Sequence, residues 1–207
     1  MRKLLFFLGL LLPLQAEIVD RLAIAVGQQV ITELQIDEEL RLTAFLNHAP
    51  VTRNLETRRA AADRLVEQSL IRHEMEVSRY PLPDQADVIE YFDRVRTQNG
   101  GPGGFYRALK PYDLSEETVK EHLELQLSTL RFIDYRFSAD AAVSDSDIEA
   151  AYRREIADRH DEPPTLDSLR ESIRRKLAEE RTDAALNAWL EESRKQVNIV
   201  YLDKTLQ

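Results

Sequence analysis

Leu22-Ala23-Ile24-Ala25-Val26-Gly27-Gln28-Gln29-Val30-Ile31-Thr32 decides how this chain is organised, because Ile18 to Thr32 is the only early stretch with strand character. Leu22, Ile24 and Val26 alternate with Arg21, Ala23 and Ala25, the period of two that sends successive side chains to opposite faces of a sheet. Gly27-Gln28-Gln29 reads as the turn of a β-hairpin, with Val30 and Ile31 as the return strand. A second alternating stretch stands far away, at Val197 to Leu202. An isolated hairpin is marginal in water, so the two stretches are expected to pair in a small antiparallel sheet that clamps the ends of the mature chain together.

Between them the sequence reads as helices. Thr32 with Gln35 has capping-box spacing, and the helix it opens carries Leu34, Leu40, Leu42, Phe45 and Leu46 until Pro50. A second runs from Asn54 to Tyr80 with Ala62, Val66, Leu70 and Val77 as its stripe, stopped by Pro81 and Pro83. A third starts near Asp84 and carries Val88, Ile89, Phe92 and Val95. Four of the six glycines then fall at Gly100, Gly101, Gly103 and Gly104. That run is expected to break both adjoining elements and to be followed by a short apolar helix, Phe105 to Leu109. Ser115 caps a helix apolar on two sides, with Val119, Leu123, Leu127, Leu130 and Phe137 on one and Leu125, Phe132 and Tyr135 on the other. Ser144-Asp145-Ser146-Asp147 opens another, and Thr165 begins the longest, to about Gln196, with Leu166, Leu169, Ile173, Leu177 and Trp189 as its stripe. Glu171 with Arg175 and Glu191 with Lys195 have the i,i+4 order that favours ion pairs.

The chain has 207 residues, 43% of them hydrophobic, with no Cys and a formal charge of -9. Without Cys there is no thiol catalysis, iron–sulfur cluster or thiolate zinc site. Excess acid argues against nucleic acid as a partner, since neutralising phosphates takes clustered Lys and Arg. Arg2 and Lys3 ahead of the apolar run Leu4 to Leu12 read as a Sec-type signal peptide over residues 1–16, with cleavage after Ala16. The run is shorter than the roughly 20 residues that span a bilayer. An exported, periplasmic chain from Glu17 is the expectation, with no stable membrane insertion once the signal is removed.

Motifs for chemistry are thin. The glycine run lacks the Lys and Ser or Thr that complete a phosphate loop, Phe105 and Tyr106 standing there instead. His73-Glu74 lacks the second His of a zincin helix, Val77 occupying its place. The cluster Asp158, His160, Asp161 and Glu162 reads as a solvated acidic linker before it reads as a cation site. No cofactor, metal or catalytic residue is expected. The aromatic-rich middle, Tyr91, Phe92, Phe105, Tyr106, Leu109 and Tyr112, is the candidate polypeptide-binding segment, with ordinary core packing as its rival reading.

The order of parts resembles the SurA-like periplasmic chaperones and their parvulin-type peptidyl-prolyl isomerase relatives. Asp20 to Thr32 is similar to that family's opening hairpin, Arg64-Leu65-Val66-Glu67-Gln68-Ser69-Leu70-Ile71 to its second helix, and Val143-Ser144-Asp145-Ser146-Asp147-Ile148 to the helix that leads toward the isomerase module. The long charged helix with Val197-Asn198-Ile199-Val200-Tyr201 looks like its closing helix and strand. The family inserts its parvulin domain between those last two helices. Here only residues 157–164 lie there, far fewer than the roughly thirty of even one βαβ unit. The resemblance therefore implies a mainly α fold, residues 17–207 forming a single multi-helix chaperone core with a small sheet, and an ATP-independent holdase for unfolded, outer-membrane polypeptides. An interaction subunit of an envelope assembly is the alternative, and a residual isomerase the least favoured reading.

Overall fold

A computed structural model describes residues 20–156 and 164–207. The signal-peptide reading, the cleavage point and the acidic cluster at 158–162 lie outside the described residues. Thr32 shows how local chemistry sets the start of the fold. Strand β1 (Leu22–Val26) turns through Gly27, at φ 59°, into β2 (Gln29–Thr32), and Thr32 ends that strand by capping α1 (Glu33–Leu46). Its Oγ1 accepts from the Gln35 amide at 3.3 Å while Gln35 Oε1 accepts from the Thr32 amide at 2.9 Å, which satisfies two otherwise free donors.

Five more helices and one strand of the reading are present, at sharper bounds. Asn54 caps α2 (Leu55–Ser78), α3 covers Gln85–Gln98, Ser115 caps α5 (Glu116–Phe137), α6 covers Asp145–Ile156, and Thr165 caps α7 (Leu166–Gln196). Strand β3 (Ile199–Tyr201) pairs antiparallel with β1, in the order β2-β1-β3, with Ala25 opposite both Val30 and Val200. The chain is thus mainly helical with a small antiparallel sheet that joins the hairpin to the late strand.

Four readings need correcting. Helix α4 runs Gly101–Leu109, so the glycines begin it instead of preceding it. Pro102 sits in its first turn, where a missing N–H costs nothing, and Gly100 enters at φ 90°. A Cβ on Gly104 would lie 3.0 Å from the Asn99 carbonyl oxygen, so glycine here permits close packing more than it breaks helix. In β1 the strict alternation fails: a bulge between Leu22 and Ile24 leaves Ala23 and Ile24 both fully buried and Leu22 exposed. Val77, Ile89, Leu130 and Tyr135 are exposed, and the α2 stripe continues through Ile71 and Met75. The ion pairs of α7 also shift: Glu171 bonds Arg174 at 2.5 Å, beside Asp145, and Lys195 meets Glu192 at 3.4 Å.

Two apolar clusters result. One gathers Ile24, Val26 and Ile31 of the sheet with α2, Phe132 and Phe137 of α5, Leu190 of α7 and Leu206. The other gathers Phe45, Phe92, Val95, Phe105, Leu109, Val119 and Leu123. Helices α1 and α5 each give residues to both, so the seam between the clusters runs along them. Helix α6 packs on the first half of α7, with Ile148 and Ile173 buried and ion pairs at Arg170–Asp145 (2.9 Å) and Arg181–Asp147 (3.0 Å). No described helix is long and apolar enough to cross a membrane.

Candidate functional site

Of the six candidate residues, Phe92, Phe105 and Leu109 are buried, Tyr91 and Tyr112 half-buried, and Tyr106 alone is exposed. Phe105 is the hub, its ring centroid 5.9 Å from Phe45 and 5.5 Å from Phe92, both edge-on. Tyr112 meets Phe45 at 5.6 Å, and the Tyr91 hydroxyl donates to Gln126 Oε1 at 2.8 Å. Such edge-to-face packing is that of a core. Burial thus favours the core-packing reading for Phe92, Phe105 and Leu109, and leaves Tyr106 as the exposed side chain of the six. Glu116 beside the exposed Tyr106 raises its hydroxyl pKa above the ordinary tyrosine value.

The apolar surface lies elsewhere, along the groove between α2 and α5. Helix α2 ends when Arg79 takes φ 53° and the Tyr80 amide bonds the Met75 carbonyl at 3.1 Å. Pro81 and Pro83 then hold the chain out of helix on both sides of Leu82. Tyr80 is thereby laid against α5, its ring 5.1 Å from Phe132 and 5.2 Å from Tyr135, and burial pushes its hydroxyl pKa upward. Leu82 is left 71% exposed at the edge. Together Ile71, Met75, Tyr80, Leu82 and Leu125 line a cavity of about 510 Å³, large enough for apolar side chains of a bound segment.

A second cavity, about 260 Å³, continues the groove toward α1. The two share Arg72, Glu121 and Leu125 and form one cleft with an apolar and a polar end. At the polar end Glu39 is 4% exposed. Its Oε1 accepts from Arg64 Nε at 2.7 Å and from Thr43 Oγ1 at 3.2 Å, so the buried charge is paired. Its Oε2 faces His122 Nδ1 at 3.8 Å, beyond hydrogen-bond range. Burial, helped by Arg64, holds the His122 pKa below its ordinary 6.5 against the pull of Glu39 and Glu38, so the ring is neutral at pH 7.

Another cavity, about 590 Å³, lies under the hairpin turn, lined by Gln28, Gln29, Gln196, Asn198 and His73, without an aromatic wall. Among the described residues no group of three or more His, Asp or Glu side chains is placed to share a metal ion. No protein-family model matches the chain, and no curated protein matches it. The sequence signal for the cleft was Tyr80-Pro81-Leu82-Pro83, two large apolar groups in a segment the prolines exclude from helix.

Proposed function

We propose that the protein is an exported, periplasmic, ATP-independent chaperone that holds unfolded polypeptide, outer-membrane proteins among its clients. The observation that carries the reading is the α2/α5 cleft, whose apolar end offers Met75, Tyr80, Leu82 and Leu125 beside the charged residues Arg72, Glu76, Arg79 and Glu124. An apolar trough with a charged rim takes up side chains of an extended segment and releases them without an energy source, since burial of each is a modest gain, about 1.5–3 kcal/mol. The formal charge of -9 keeps the loaded protein dispersed. The resemblance of the chain to the SurA-like chaperone core supports the same reading, with the parvulin module of those relatives replaced by a linker too short to hold one.

The test is aggregation of a denatured β-barrel membrane protein diluted with and without the purified protein, followed by light scattering. Suppression by the native protein, weakened by Leu82→Glu, is expected; no suppression at stoichiometric excess overturns the reading. A single stable partner in a pull-down, without affinity for unfolded peptides, favours an interaction subunit of an envelope assembly instead. Turnover of a proline peptide would restore the isomerase reading.

A further inference from the structure

The two edges of the sheet are finished differently. On β2 the outward row is nearly closed: the Thr32 amide donates to Gln35 Oε1 at 2.9 Å, which leaves Val30 with its backbone groups turned outward. On β3 the row is open. The Gly27 amide donates to the Asn198 carbonyl at 2.9 Å and the Leu202 amide to the Ala23 carbonyl at 2.8 Å, so every second residue from Asn198 to Leu202 faces β1. The N–H and C=O of Ile199 and Tyr201 therefore point away from the sheet, and no hydrogen bond reaches them among the described residues. Edges are ordinarily blunted by Lys, Pro or a bulge, and Ile199-Val200-Tyr201 carries none of these.

The face beside this edge is apolar. Val30, Ala25 and Val200 stand in one row across the three strands, with Val30 and Val200 exposed, and Leu202 is exposed beyond them. Unpaired N–H and C=O groups next to apolar side chains are complementary to an extended backbone that alternates apolar residues. A second copy of the chain is a poor occupant, because the formal charge of -9 sets copies against each other and β3 offers only three residues to pair. A client segment can run further. The cavity under the hairpin turn begins at Asn198, next to β3, and shares Glu76 with the apolar cleft. Its amide side chains, Gln28, Gln29, Gln196 and Asn198, can donate to and accept from a main chain that crosses it.

Resting on the polypeptide-binding reading above, we infer that β3 is a strand-addition site for the client. An extended segment pairs its backbone with Ile199 and Tyr201, sets alternate side chains beside Val200 and Leu202, and continues past Asn198 toward the cleft. Main-chain bonds make the capture tolerant of sequence, while the apolar face selects alternating, β-branched or aromatic segments. A helical segment, whose N–H groups are spent internally, offers nothing to this edge.

The experiment uses the full chain and a short fluorescein-labelled peptide alternating Val or Tyr with Thr. Two further versions are N-methylated at every second residue, one at the Val and Tyr positions and one at the Thr positions, so that each closes one edge of the peptide backbone. Anisotropy titration should show one version binding within about twofold of the parent and the other roughly tenfold weaker, the worth of two backbone hydrogen bonds. Amide hydrogen exchange at Ile199 and Tyr201 should slow when the parent is bound. Val200→Lys should weaken the parent about fivefold, whereas Val30→Lys at the other edge should leave it within about twofold. Equal binding of the two methylated versions, unchanged exchange at Ile199 and Tyr201, or equal effects of Val200→Lys and Val30→Lys overturns strand addition and leaves the cleft as the client site. Failure of the parent peptide to bind overturns the polypeptide-binding reading itself.

Discussion

The two apolar clusters are built in opposite ways. The aromatic cluster comes mostly from neighbours in sequence: Phe92, Val95, Phe105, Leu109, Val119 and Leu123 lie on three successive helices, and Leu42 and Phe45 reach in from α1. The sheet cluster draws on the opposite ends of the described chain, Ile24 and Val26 against Leu190 and Leu206. Density of aromatic residues along a sequence therefore marks local core here. The apolar wall of the cleft instead arises where an element stops: past the end of α2, Tyr80 is half-buried against α5 and Leu82 is left exposed.

The sharpest way to break this contrast is a pair of cavities. Phe105→Ala and Phe132→Ala should each cost about 3–5 kcal/mol in urea unfolding, since both rings are buried and each is a hub of edge-on contacts. Hydrogen exchange should separate them: Phe105→Ala raises exchange in α3 and α4 while β1 keeps its protection, and Phe132→Ala does the reverse. Uniform loss in both would mean one cooperative core.

Gly104→Ala comes next, at about 1–3 kcal/mol in thermal melts, because the new methyl meets a backbone carbonyl that has little room to retreat. Thr32→Ala removes the capping box at the sheet end and should cost about 1 kcal/mol, with Thr32→Ser restoring most of it. Tyr106→Ser, in the aromatic segment but 61% exposed, should change stability by no more than about 0.5 kcal/mol. A larger loss would return Tyr106 to the core.

The α6–α7 pair offers a third kind of contact, polar and at the surface. Bonds from the Ser144 amide and hydroxyl, and then Arg181, lower the Asp147 pKa from 3.8 to about 2. A carboxylate with a depressed folded-state pKa contributes stability above its unfolded value and loses it as pH falls through the folded one. The contribution should be intact above about pH 4 and gone near pH 2, and Asp147→Asn should abolish that dependence. NMR titration of the Asp147 carboxyl, with a midpoint near 2, checks it directly.

Caps and pairing were legible in the sequence, because they depend on a few residues at fixed offsets. Thr32 with Gln35, Ser115, Thr165 and the alternation at Ile199–Tyr201 each act within one turn or one strand. Burial was less legible. Val77 and Leu70 share a face of α2, yet one is exposed and the other buried, and near the helix end the buried position passes to Met75. The glycine run was ambiguous for a related reason: glycine loosens a chain where nothing packs on it, and tightens contact where Asn99 comes within reach of Gly104. The cleft was the least legible part. Glu39, Arg64 and His122 come from three helices, and nothing in their spacing shows that they meet.

The pairing of β1 with β3 has a consequence for how the protein is made. Val200 closes the sheet on Ala25, so during synthesis one edge of the hairpin stays open until every described helix has been produced. The aromatic cluster, assembled from adjacent helices, can form well before that, while the distant pairing pays its loop-closure entropy last. An open strand edge is a ready template for pairing with another chain. That template stays open until β3, the last strand among the described residues, has been produced.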